Sequence, residues 1–363
     1  MDKFFETLRN IWKIKELRNR ILFTLALLFV YRFGSFVVLP GVVPSALEAA
    51  TQNQNNLFGL INMFTGGAFN NAAIFALGIM PYITASIIVQ LLGFAVPYFQ
   101  RLQQKEGESG RKKITQITRL LTVAITLVQG GGYLTYIASM PGAVHPDVPL
   151  GIFWMSNIII LSTGTIFSMW LGEKITDRGI GNGISLLIMI GIIAALPSAL
   201  IFEFQSQLSN NGLLIFIVEL ALFFAITMVT VMIVQGVRRI PIQFAKRMVG
   251  RAKGTVPVSG VRDYIPLKVN AAGVMPIIFA QAIMFLPVTV AQYLFGQEAL
   301  ATNSILQQLT DPFSFISSVF AFLLVVIFTY VYTALLVNPQ QYAEYLKRQN
   351  AFIPGIKPGK PTA

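Results

Sequence analysis

The sequence predicts an all-α polytopic membrane protein. Three observations carry this. Of 363 residues, 55% are hydrophobic and only 12% charged, too few polar groups to cover a soluble domain of this length. Apolar runs of about 20 residues, the length that crosses a bilayer, recur along the chain. Lys and Arg crowd some connecting segments and are absent from others, the alternation that the positive-inside rule expects of a chain crossing many times.

Residues 1–20 come first. Phe4, Phe5, Leu8, Ile11 and Trp12 share one helical face, with Lys3, Arg9, Lys13, Lys15, Arg18 and Arg20 among and after them. This pattern predicts an amphipathic helix at the cytoplasmic interface. The basic part is too long for a cleavable signal, and no small-residue cleavage site follows. Candidate spans then lie at about 21–39, 72–98, 119–139, 152–171, 180–200, 213–236, 271–295 and 314–337, eight in all.

Between the first two spans is a short apolar piece, with Leu57, Phe58, Leu60, Ile61 and Phe64, broken by Thr65, Gly66 and Gly67. It is far too short to cross. One reading is a re-entrant element, tolerated at membrane depth only where protein buries it or water lines it. The other is a helix lying among the headgroups on the outer surface. The stretch itself leaves both open.

Segments 1–20, 100–119, 237–270 and 338–363 hold 6, 6, 8 and 4 of the 27 basic residues, whereas 40–71, 140–151, 201–212 and 296–313 hold none. Both ends of the chain are therefore expected in the cytoplasm. Basic loops are by default topology signals, but 237–270 is longer than topology needs. Its IPIQF and VPVSG patches alternate like short strands about Gly250 and Gly254. A basic hairpin of this kind suggests docking onto an acidic surface, either ribosomal RNA or a protein face. Its Lys and Arg lack interleaved aromatics, so any RNA contact would be to phosphates.

Catalytic groups are sparse. There is no Cys, the single His145 lies in a loop, and no candidate span contains Asp or His. Gly181-Asn182-Gly183-Ile184-Ser185 is not a nucleophile elbow, because no Gly stands two residues after the Ser; its glycines suit close packing at a helix start. No enzyme activity, metal or cofactor is expected. Arg32 and Glu219 are the charges inside spans, and each is either a functional group or a residue reaching a helix partner or the interface. Pro81 is expected to bend the second span, and Pro276 and Pro287 the seventh. Gln90, Gln129 and Gln281 supply either interhelical hydrogen bonds or a polar seam between helices that part. Ile79 and Ile83 share one helical face, as do Ile184 and Ile188, and packing or lipid contact is the ordinary role of such residues. These features describe a pore or a transporter with a re-entrant element. A polytopic secondary transporter of a small solute is the alternative reading.

Six blocks then resemble one family in order along the whole chain: YRFGSFVVLPG (31–41), IFALGIMPYITASIIVQLL (74–92), ITDRGIGNGISLLI (175–188), RRIPIQFAKR (238–247), LKVNAAGVMPIIFA (267–280) and FIPGIKPGKPTA (352–363). They are similar to the SecY family of protein-translocation channels. The resemblance implies a helical channel of two inverted halves, here 21–200 and a partial 201–363. It implies a plug helix at about 55–70. It implies a pore ring of Ile79, Ile83, Ile184, Ile188 and Ile278, and a lateral gate whose helices carry Gln90, Gln129 and Gln281. Arg238, Arg239, Arg247 and Lys357 would dock the ribosome or the SecA ATPase. Lys357 stands where Arg is common, which keeps the charge but loses the guanidinium fork. SecE and SecG subunits, unfolded precursors, signal sequences and the bilayer are the other implied partners, and a bacterial plasma membrane is the implied location. The family has ten spans. The sequence ends after eight, and a chain of this length is expected to be a fragment that is inactive by itself.

Overall fold

A computed structural model describes residues 6, 9, 12–51, 62, 64–104, 107–209, 212–244, 248–249, 256–257, 262–277, 279–280, 283–284, 308, 314–337, 339–357 and 359–363. Residues 1–5, 7–8 and 10–11 of the helix expected at 1–20, most of the seventh expected span, and Leu57, Phe58, Leu60, Ile61, Arg247, Ile278 and Gln281 lie outside the described residues. The chain forms two compact units, Met1–Phe202 with Gln281–Ala321, and Glu203–Ala280 with Phe322–Ala363.

The first unit contains α1 (Lys15–Gly34), α2 (Pro44–Thr51), α3 (Met80–Ala95), α4 (Pro97–Gln104), α5 (Gly107–Ser139), α6 (Leu150–Arg178) and α7 (Gly183–Ala194). Helix α3 packs on α5, α5 on α6, and α6 on α7, while α1 lies against α6 and α7. Glycines allow the close approaches that bind helices in lipid: Gly183 of α7 rests against the carbonyl of Gly172 on α6. Asn182 starts α7 as an N-cap, its side chain accepting from the amides of Ile184 and Ser185 at 3.1 and 3.2 Å. Buried Thr118, Thr122 and Thr126 line α5, and each hydroxyl donates to the carbonyl four residues back at 2.7–2.9 Å. Polar side chains can sit inside the bundle because their hydrogen bonds close within their own helix.

The single span expected at 72–98 is not continuous. Residues 66–79 run as successive turns, and helix begins only at Met80. Pro81 lies in the first turn of α3, where its missing N–H leaves no gap and its ring clashes with nothing. It therefore starts a helix rather than bending one. Ahead of it, Gly66, Gly67 and Gly78 have positive φ, which carries the chain out of the helical region. The fifth expected span is also jointed, with α7 followed at once by α8 (Leu196–Ser209); the two form one apolar stretch of 27 residues.

The second unit is built from α9 (Leu213–Gln235), β1 (Val237–Phe244), β4 (Arg262–Lys268), most of α10 (Phe315–Leu336), α11 (Pro339–Arg348) and β5 (Ala351–Phe352). The short hairpin of β2 (Met248–Val249) and β3 (Val256–Pro257) belongs to the same basic loop. Strand β1 is central, antiparallel to β4 and to β5. The basic loop and the tail thus depart from an all-α architecture, along the alternating patches that the sequence contains. Ile242, Leu346 and Ala351 are buried between the sheet and α11, with Phe244, Ile265 and Ile353 packed around them. No residue of α9 is buried; a helix apolar on every face belongs in lipid or against another membrane helix.

Among the described residues, five helices are long and apolar enough to cross a membrane: Gly107–Ser139, Leu150–Arg178, Gly183–Ser209, Leu213–Gln235 and Phe315–Ala334.

Candidate functional site

The turn segment is the least regular and among the most buried parts of the first unit. Ala68, Phe69, Ala72, Ala73, Phe75, Ala76 and Leu77 are each at most 3% exposed. Unpaired backbone groups would be costly there, and the segment satisfies them locally. The Asn62 carbonyl accepts from the Gly67 amide at 2.9 Å and from the Thr65 hydroxyl at 3.2 Å. The Asn62 side chain accepts from the Asn70 amide at 2.9 Å. The loop after α1 supplies further partners: the Ile74 amide donates to Val37 at 2.9 Å, and the Leu39 amide to Ala72 at 2.8 Å.

Three helices hold the start of this segment. From α5, the Tyr133 hydroxyl donates to the Phe69 carbonyl. From α7, Gly191 lies against the Phe64 carbonyl. From α1, Arg32 donates through Nη1 to the Gly66 carbonyl. The Arg32 guanidinium also lies 4.7 Å from the centre of the Phe36 ring. Gly66 has φ +65°, and a β-carbon on it would sit 2.8 Å from Arg32 Nη1 and 3.0 Å from Gly191 Cα. Conformation and space both require glycine. Sequence reasoning left Arg32 unassigned; its partner lies 34 residues away, and no local pattern points to it.

Of the five ring isoleucines, four are described. Ile79 and Ile83, at 4% and 6% exposure, are one turn apart, and the Ile83 amide donates to the Ile79 carbonyl at 3.1 Å. Ile184 and Ile188 lie one turn apart on α7 and are half-buried. Ile184 packs toward α6, where a β-carbon on Gly172 would stand 3.2 Å from its Cγ1. Gln90 on α3 is half-buried and donates to the Ser86 hydroxyl at 3.1 Å. Gln129 on α5 is 1% exposed, and its Oε1 has no hydrogen-bond partner among the described residues.

The basic residues assemble differently. Arg238 and Arg239 are exposed on β1, and the tail strand β5 joins the same sheet through Gln243 and Phe352. Exposed Lys357 follows five residues on. The sheet brings the loop and the tail, far apart in sequence, into one surface. Arg239 stacks over Tyr264 on β4, 4.8 Å from guanidinium carbon to ring centre. Pro266 is directly opposite Arg239 and Tyr264 opposite Pro241, so the pair is a diagonal cross-strand contact. The expectation that this loop lacks an aromatic beside its cations is corrected here, since the aromatic comes from the neighbouring strand. Arg119 is another charge whose partner the sequence hides: it makes a two-pronged bridge from α5 to Glu173 on α6, at 3.2 and 2.6 Å. Glu219 is exposed on α9.

The family model described as SecY matches residues 73–363. The protein translocase subunit SecY of Streptomyces galbus is 43% identical over 364 residues, 97% of this chain and 82% of that one. That of Chlamydia trachomatis serovar D is 38% identical over 378 residues, 98% of this chain and 81% of that one. Among solved structures, one described as a protein conducting channel superposes with a TM-score of 0.62 at 18% identity, over 94% of this chain and 79% of the other. Sec61 in a canine ribosome-channel complex gives 0.58 at 19% identity, over 93% and 76%. With sequence similarity along nearly its whole length and the fold of these channels, the chain belongs to the SecY family of protein translocase subunits.

Proposed function

We propose that this chain is the central pore-forming subunit of a Sec translocon, conducting unfolded secretory proteins across the membrane and releasing transmembrane segments sideways into it. The observation that carries this is the buried turn segment 66–79, held by α1, α5 and α7. Non-helical backbone of this kind persists among membrane helices only around a cavity or inside protein, and here it overlaps the end of residues 55–70, the plug.

On this reading Ile79, Ile83, Ile184, Ile188 and Ile278 form the waist. An apolar constriction dewets and holds back ions, yet its side chains can move aside for a polypeptide. Leu57, Phe58, Leu60, Ile61 and Phe64 cover it from the outer side, and Gly66 and Gly67 are the pivot. Gln90, Gln129 and Gln281 lie along a lateral gate, and the two halves divide near residue 200. Arg238, Arg239, Arg247 and Lys357 dock the ribosome, as the channel in the canine ribosome complex does, or SecA. SecE and SecG complete the assembly in the bacterial plasma membrane, with residues 1–20 and 338–363 in the cytoplasm.

The test is reconstitution of the chain with SecE in vesicles. Supplied with SecA and ATP, they should take up an unfolded precursor into a protease-protected space. Uptake of a small solute with no precursor transport would replace this reading with the secondary transporter.

A further inference from the structure

We propose that Arg32 is a latch that holds the plug closed by gripping the backbone of its pivot. The inference rests on the plug reading above and assigns a task to a residue that reading does not use. Arg32 lies in the last turn of α1, half-buried. A guanidinium inside a span is unfavourable unless it is partnered. Among the described residues no carboxylate pairs with it; Nη1 donates to the Gly66 carbonyl and the guanidinium lies over Phe36. A charged donor on a carbonyl in a low-dielectric setting is a strong hydrogen bond.

The acceptor matters more than the strength. Gly66 is the first residue after Phe64 and Thr65 to take positive φ, so it is where the chain turns from the plug into the segment leading to α3. Any swing of the plug must rotate the peptide bonds at Gly66 and Gly67. The Gly66 carbonyl belongs to one of those peptides, and rotating it carries the oxygen away from Arg32. On its other side Gly66 abuts Gly191 of α7, so the pivot is clamped between a cation on α1 and a helix that must itself shift when the waist widens. Because the acceptor is backbone, the latch is indifferent to the plug's side chains, and it is released by movement of α1 relative to α7.

The chain contains no cysteine, so a Phe64→Cys thiol can be followed without background. In the full chain reconstituted with SecE, Arg32→Met should raise the labelling rate of that thiol at least tenfold and raise the resting ion current. Arg32→Lys, which keeps a charge and a donor, should restore most of both. If Arg32→Met folds poorly, Arg32→Gln, which keeps a neutral donor, should fall between them. A folded Arg32→Met or Arg32→Gln channel with unchanged labelling and current overturns the latch. Deletion of 57–67 separates the two ideas. If the deletion leaks and Arg32→Met does not, the latch alone falls. If the deletion is silent, the plug reading falls and the latch with it.

Discussion

The Tyr133 hydroxyl donates a 2.6 Å hydrogen bond to the Phe69 carbonyl, and the two rings lie 4.7 Å apart. One side chain of α5 both satisfies a buried backbone group of the turn segment and packs on the ring of the same residue. Tyr133→Phe keeps the ring and removes that donor, leaving the carbonyl with the longer 3.2 Å bond from the Ala72 amide. Stability should fall by about 0.5–1.5 kcal/mol, read as a lower melting temperature in detergent. An unchanged melting temperature would mean that the Tyr133 hydroxyl adds nothing to what the Ala72 amide already supplies.

Gly164 of α6 lies against the carbonyl of Ile74, backbone against backbone, whereas nothing lies within 4 Å of a β-carbon on Gly151 of the same helix. Helix propensity alone favours Ala over Gly by about 1 kcal/mol. Gly151→Ala should therefore be neutral or slightly stabilising. Gly164→Ala must push α6 off the turn segment, at a net cost of about 1–3 kcal/mol. Equal melting temperatures for the two variants would contradict the close approach.

Ile83 and Ile278 are the residues to change at the proposed waist. With both changed to Ser the constriction becomes wettable. A resting ion current should appear in planar bilayers, larger still when 57–67 is also deleted, with precursor transport retained. If these isoleucines only pack against helices or lipid, the double variant loses stability without conducting.

Arg239 lies over Tyr264 on an exposed sheet. Arg239→Glu should weaken co-sedimentation with ribosomes or SecA most at low salt, and the difference from the parent should shrink as salt rises, because salt screens the charge contact that was lost. Topology should persist, since Arg238 and Lys268 stay on the same side. Tyr264→Ala removes only the stacking, about 0.5–1 kcal/mol at an exposed site, and should change folding of the sheet less than it changes partner affinity. Partner affinity unchanged in both variants would leave these cations as topology signals.

The sequence by itself determined the membrane class and the order of most spans. Each depends on composition summed over a window, and that sum does not need the fold. It also carried the six family blocks and the strand-like patches of the basic loop. Tertiary structure alone decided where regularity fails and who meets whom. The run at 72–98 is apolar throughout, so hydropathy reads it as one span. Its first part is instead turns, because Pro81 suits a helix start and neighbouring backbone at Val37 and Leu39 takes up the freed hydrogen bonds. Arg32 with Gly66, Tyr133 with Phe69, and Arg239 with Tyr264 are contacts across 34, 64 and 25 positions. Such pairs are set by which helices and strands pack together, and packing is a property of the whole bundle that no local window contains.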